Sequence, residues 1–156
     1  MKKTALMALL ALVLAAPAAF ADRGPFGLGI ILGEPTGISA KLWLGDAHAI
    51  DAAFAWSFAD EGSLYVHGNY LFHLHDLISV NTGRLPVYFG IGGKVNLRDD
   101  PQVSVRIPIG LNYLFDSVPL DAFLELAPGI GLFPSTKADF GAGIGIRYYF
   151  GGSGAL

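Results

Sequence analysis

The chain has 156 residues, 53% of them hydrophobic and 15% charged, with 21 glycines, no cysteine and a formal net charge of −3. That length holds one domain, and the lack of cysteine excludes disulfides, thiolate metal sites and thiol chemistry. The acidic balance gives nucleic-acid binding no electrostatic footing, and no stretch after residue 21 reaches the ~18 unbroken apolar residues of a spanning helix.

Residues 1–21 read as a secretory signal peptide. Lys2 and Lys3 form a positive start, 6–16 is a short apolar run, and Ala19-Phe20-Ala21 is an A-x-A-like cleavage site before Asp22. The apolar run is too short to anchor the chain as a helix. Loss of the two lysines takes the net charge from −3 to −5. Residues 22–150 then form the domain, and 151–156 a flexible, glycine-rich tail.

The domain alternates with the period of two that marks β-strands, in eight segments: 26–32, 38–44, 49–58, 64–74, 87–97, 103–115, 120–132 and 138–150. Turn chemistry separates them, as in Gly33-Glu34-Pro35-Thr36, Gly45-Asp46, Asp60-Glu61-Gly62 and Asp99-Asp100-Pro101. The connection after 74 has room for one helical turn over 75–80. Pro108 and Pro128 fall inside segments. Each removes a ladder donor, so a bulge is expected at each.

In each segment one parity is nearly all apolar. The third segment shows Ile50, Ala52, Phe54, Trp56 and Phe58, and the last shows Phe140, Ile144, Ile146, Tyr148 and Phe150. The other parity is polar or glycine, and holds Lys41, Lys94, Arg106 and Arg147 against Asp51, Asp121, Glu125 and Asp139. A soluble surface carries about 25–35% charged residues, so this parity is too poor in charge to face water. Four positive and four negative groups are the balance expected where an unpaired charge is costly. Glycines on the same parity leave room for Tyr65, Tyr88, Phe123 and Tyr149 in a narrow lumen. Aromatics collect at strand ends: Tyr70, Phe72, Tyr113, Phe115, Tyr148 and Phe150 at one rim, and Phe54, Trp56 and Phe58 at the other. That is the placement of two membrane-interface girdles. The expected fold is an all-β, eight-stranded antiparallel up-and-down transmembrane β-barrel, apolar face outward.

The final run Gly143-Ile-Gly145-Ile-Arg147-Tyr148-Tyr149-Phe150 resembles the assembly signal of bacterial outer-membrane barrels, with Gly145, Tyr148 and Phe150 at the matching positions. Two features depart from it: glycine at 143, and six residues after Phe150. The domain as a whole resembles the small eight-stranded barrels typified by the membrane domain of outer-membrane protein A. It is also similar to a less-characterised family of small outer-membrane barrels from spirochaetes and other bacteria. The resemblance implies residence in the bacterial outer membrane after signal-peptide cleavage, contact with outer-membrane lipid, insertion by the barrel-assembly machinery, and both termini in the periplasm. The outer loops are then short, unlike those of barrels that act as adhesins.

The charged lumen residues read as a salt-bridge plug, since an eight-stranded interior is just wide enough for side chains to fill. Glu125 is expected to pair with Lys41 or Arg106, and Arg147 with Asp51 or Asp121. His67, His73 and His75 share a parity but lack a third ligand type at firm spacing, so no metal and no cofactor is assigned. Ser57, Ser63, His67, Asp60 and Glu61 are the raw material of a hydrolytic triad without a supporting motif. The expected role is structural, in the envelope or in surface interaction, and not enzymatic. A narrow channel or small-ligand barrel is the alternative, and a lipid A-modifying barrel enzyme the third reading.

Overall fold

The computed structural model describes residues 24–34, 36–57, 63–97 and 101–150. The expected signal peptide, Phe58, Asp60, Glu61 and the tail at 151–156 lie outside the described residues. Nine strands follow in chain order: β1 (Phe26–Glu34), β2 (Thr36–Trp43), β3 (His48–Ser57), β4 (Ser63–Leu74), β5 (Val87–Leu97), β6 (Gln102–Arg106), β7 (Ile109–Leu114), β8 (Leu120–Phe133) and β9 (Lys137–Phe150). All pairings are antiparallel. Among the described residues β1 to β5 pair in sequence order, β6 and β7 each lie between β5 and β8, β8 meets β9, and β1 meets β9 from Phe26↔Phe150 to Glu34↔Ala142. The ladder therefore returns on itself without a free edge, the arrangement that removes the edge-strand liability.

The sixth expected segment appears as two strands, β6 and β7, on one track. Arg106 faces Gly129 and Ile109 faces Leu126 on β8, while on β5 Gly92 faces Arg106 and Phe89 faces Ile109. Those spacings are the ones an unbroken strand would have, so the bulge expected at Pro108 is absent. None occurs at Pro128 either: β8 and β9 keep one register from Leu120↔Tyr148 through Pro128↔Phe140 to Gly131↔Lys137. Each proline keeps its acceptor bond, from Gly90 N to Pro108 O at 3.0 Å and from Ile107 N to Pro128 O at 2.8 Å. A strand already flanked on both sides tolerates the loss of one donor without slipping. The register shift that does exist lies between Val103 and Ser104, near the loop end of β6. The connection 75–86 consists of turns and bends, and the helical turn expected over 75–80 does not form.

Burial is inverted relative to a water-soluble domain. Lys41, Asn112, Asp121, Glu125 and Arg147 are at most 3% exposed, whereas Ile144, Phe140, Ile91 and Leu132 are 54–61% exposed. The period of two puts successive side chains on opposite faces, and closure of the sheet makes one of those faces an interior. The interior is filled by cross-strand seating of large side chains on glycine. Tyr149 lies against Gly27, Tyr88 against Gly110 and Phe123 against Gly145, each pair directly opposite in register. For the first two, the register partners are Gly27↔Tyr149 and Tyr88↔Gly110. A Cβ on Gly145 would come within 2.3 Å of Phe123 Cζ, and one on Gly110 within 2.6 Å of the Tyr88 ring. Glycine is required there by its neighbour's bulk.

Candidate functional site

The inward faces of β2, β3, β4, β7, β8 and β9 assemble one polar network. Arg147 donates to Asp121 through Nε (3.0 Å) and Nη2 (3.1 Å), a fork-to-carboxylate pair, and reaches Ser39 Oγ at 3.4 Å and Asp51 Oδ2 at 4.0 Å. Tyr149 donates to the same Asp121 carboxylate at 2.6 Å and accepts from Trp43 Nε1 at 3.3 Å. Asp51 in turn accepts from Asn69 Nδ2 at 2.6 Å. Phe123 supplies an aromatic face 4.1 Å from the Arg147 guanidinium carbon. Arg147 and Asp121 are 2% and 0% exposed at the side chain, so the bonds between them are screened from water.

A second group lies on β5, β6 and β8. Arg106 Nη2 is 2.7 Å from Glu125 Oε1, and Tyr88 donates to Glu125 Oε2 at 2.7 Å. Nearer the loop end, Lys94 pairs with Asp139 at 2.8 Å, with 12% and 24% side-chain exposure, and lies over the Tyr65 ring at 4.8 Å.

The expected charges thus meet in three groups: Arg147 with Asp121 and Asp51, Arg106 with Glu125, and Lys94 with Asp139. Lys41 has no carboxylate within ion-pairing distance among the described residues, although Asp51 stands opposite it in the ladder. Of the two expected partners for Glu125, only Arg106 is in place. Lys41 Nζ instead contacts His73 Nε2 at 2.7 Å, donates to Asn112 Oδ1 at 2.9 Å, and lies 4.3 Å from the Trp43 ring centroid. The carboxylate opposite Lys41 is taken by Arg147 and Asn69.

The expected girdle residues stand on the outward face. Phe54, Tyr70 and Phe72 are 36–48% exposed. Tyr113 and Phe115 form an edge-to-face pair at 4.8 Å, as do Tyr148 and Phe150 at 5.0 Å, and Phe150 stacks on Phe26 at 6.3 Å. Trp56 is half-buried on β3. Of the assembly-signal positions, Tyr148 and Phe150 therefore sit on the outer face, while Gly145 faces inward beneath Phe123. His67 and His73 are interior, at 4% and 2% exposure, whereas His75 lies beyond the end of β4. Among the described residues no cluster of three histidines or carboxylates is set to hold a metal.

Trp43 was not singled out by sequence reasoning. It shares parity with Ser39 and Lys41, which is the one signal that would have placed it inside. At the barrel end where the chain enters, it helps line a cavity of about 390 Å³ with Pro25, Asp46, His75, Arg84 and Leu114.

No family model matches the chain, and no curated protein matches it. Its fold is similar to the crystal structure of the N-terminal β-barrel domain of Pseudomonas aeruginosa OprF, with a TM-score of 0.59. The fold is that of an outer-membrane-type β-barrel. The match covers 80% of this chain and 96% of the OprF domain at 18% identity, so the likeness is one of fold. No helix among the described residues is long and apolar enough to cross a membrane.

Proposed function

We propose that the chain is a small integral outer-membrane protein with a structural or surface-interaction role in the envelope, its lumen closed by its own side chains. The observation that carries this reading is the inverted burial. Paired charges fill the interior, and Phe140, Ile144, Ile91 and their neighbours cover the outside. Water would favour the opposite arrangement, and a hydrocarbon surround favours this one. Strand length agrees: β3, β4, β5, β8 and β9 have 10–14 residues, against the roughly 9–11 needed to cross a bilayer at a tilt.

In this reading the outward aromatics sit at the headgroup level, the lipid of the outer membrane is the protein's main partner, and the barrel-assembly machinery recognises the strand end carrying Tyr148 and Phe150. Export by the signal peptide at residues 1–21 precedes both. Interior charges that pair with one another leave little room for an ion path, which favours a plug over a channel. The reading is of a non-enzyme. His67, needed by the hydrolytic alternative, is 4% exposed inside the lumen, where lipid has no access.

Two measurements test this. Folded barrel in purified outer membranes is expected to migrate differently on gels before and after boiling. Reconstituted protein in planar bilayers is expected to show no steady conductance. Protein found soluble in the periplasm would overturn the membrane reading, and a regular unitary conductance would overturn the plug.

A further inference from the structure

The cavity at the chain-entry end of the barrel has a lining that the plug does not explain. Its volume of about 390 Å³ falls within the range of small-molecule sites. Two opposite charges line it: Asp46, on the turn between β2 and β3, and Arg84, before β5. They make no ion pair with each other or with any described residue. Neither is free to swing its backbone toward the other. Arg84 is tied to Leu114 by reciprocal main-chain bonds of 3.1 and 2.8 Å, and the Asp46 carbonyl accepts from His75 Nε2 at 2.6 Å. A carbonyl only accepts, so Nε2 is the donor in that bond. Trp43 and His75 stack at 6.2 Å and give the cavity an aromatic wall.

We infer that this vestibule binds a small zwitterion of the amino-acid or short-peptide class. A ligand carboxylate is matched by the forked donors of Arg84, and a ligand ammonium by the Asp46 carboxylate, with the ligand's body against Trp43 and His75. A simple anion would leave Asp46 unused, and a simple cation would leave Arg84 unused. A cavity built for an apolar ligand has no need of either charge. Lys41 Nζ lies 4.3 Å from the Trp43 ring centroid and is not part of the cavity lining.

The test uses the full mature barrel, refolded in detergent, with Trp56→Phe so that Trp43 is the sole fluorophore. Triglycine is titrated against N-acetyl-triglycine and triglycine amide, and folding of each variant is checked by gel mobility. A saturable change in Trp43 emission is expected, with a midpoint on the order of 1 mM for a ligand of this size. Both capped peptides, and both Arg84→Gln and Asp46→Asn, are expected to weaken binding at least about tenfold, since each removes one charge-assisted contact. These two side chains lie outside the lumen network, so their loss leaves the barrel folded. If Trp56→Phe fails to fold, calorimetry on the unsubstituted protein reads the same titrations. The inference is overturned by an absence of saturable binding, by equal binding of capped and free peptides, or by binding that ignores both substitutions. Loss of affinity in Arg84→Gln alone would mean a simple anion site, and in Asp46→Asn alone a simple cation site. Either result would also overturn it.

Discussion

Glu125→Ala removes the carboxylate shared by Arg106 and Tyr88. In the folded barrel both partners are interior, Arg106 at 5% side-chain exposure and Glu125 at 4%. The substitution leaves a guanidinium without its counter-charge and a phenol without its acceptor. Breaking a buried ion pair by removing one member costs about 3–5 kcal/mol, and the orphaned hydroxyl adds about 1 kcal/mol. The expected loss is therefore roughly 4–6 kcal/mol, a large share of the stability of a domain this size. Asp139→Ala is the internal comparison. Its pair with Lys94 has the same separation to within 0.1 Å but is 12% and 24% exposed, so solvent screens it and about 1 kcal/mol or less is expected. Denaturant unfolding of the barrel refolded into lipid vesicles measures both, followed by tryptophan emission and gel mobility. Replacing both members, as Arg106→Met with Glu125→Leu, is expected to recover most of the loss, because no charge is then left buried. If Glu125→Ala and Asp139→Ala cost the same, or Glu125→Ala costs under about 1 kcal/mol, the lumen is wet and its pairs do not hold the barrel together.

Glycine seating makes a paired prediction: Gly145→Ala drives a Cβ into Phe123 and is expected to cost about 1–3 kcal/mol, whereas Gly68→Ala, whose nearest contact is 3.7 Å away, is expected to change stability by less than about 0.5 kcal/mol in the same unfolding assay. On the outer face, Ile144→Arg at the middle of β9 is expected to cost about 2–4 kcal/mol in vesicles, and a neutral effect would mean that this face meets water. Lys41→Met is expected to be milder than Glu125→Ala, since Lys41 holds neutral partners and its loss strands no counter-charge; equal losses in vesicle unfolding would refute that ranking.

Strand positions were legible because a period of two is a local property. The segment 87–97 coincides with β5, and 64–74, 120–132 and 138–150 each fall one residue short of the strands found. The same alternation grouped Lys41, Asp51, Arg106, Asp121, Glu125 and Arg147 on one face. Register of the prolines was not legible. A missing donor is seen in sequence, but whether the ladder slips depends on the strands holding it from both sides, and around Pro108 and Pro128 they hold it in line.

What the sequence by itself determined is therefore which residues share a face, since side-chain direction in a strand depends only on parity. Which cation meets which anion was decided by the tertiary structure. Closing the sheet staggers each strand against the next, and partners such as Arg147 and Asp51 come from strands far apart in the chain. The same closure turned one face into an interior, set Trp43 as its cover, and brought Asp46 of the β2–β3 turn beside His75 and Arg84 of the β4–β5 connection at one rim.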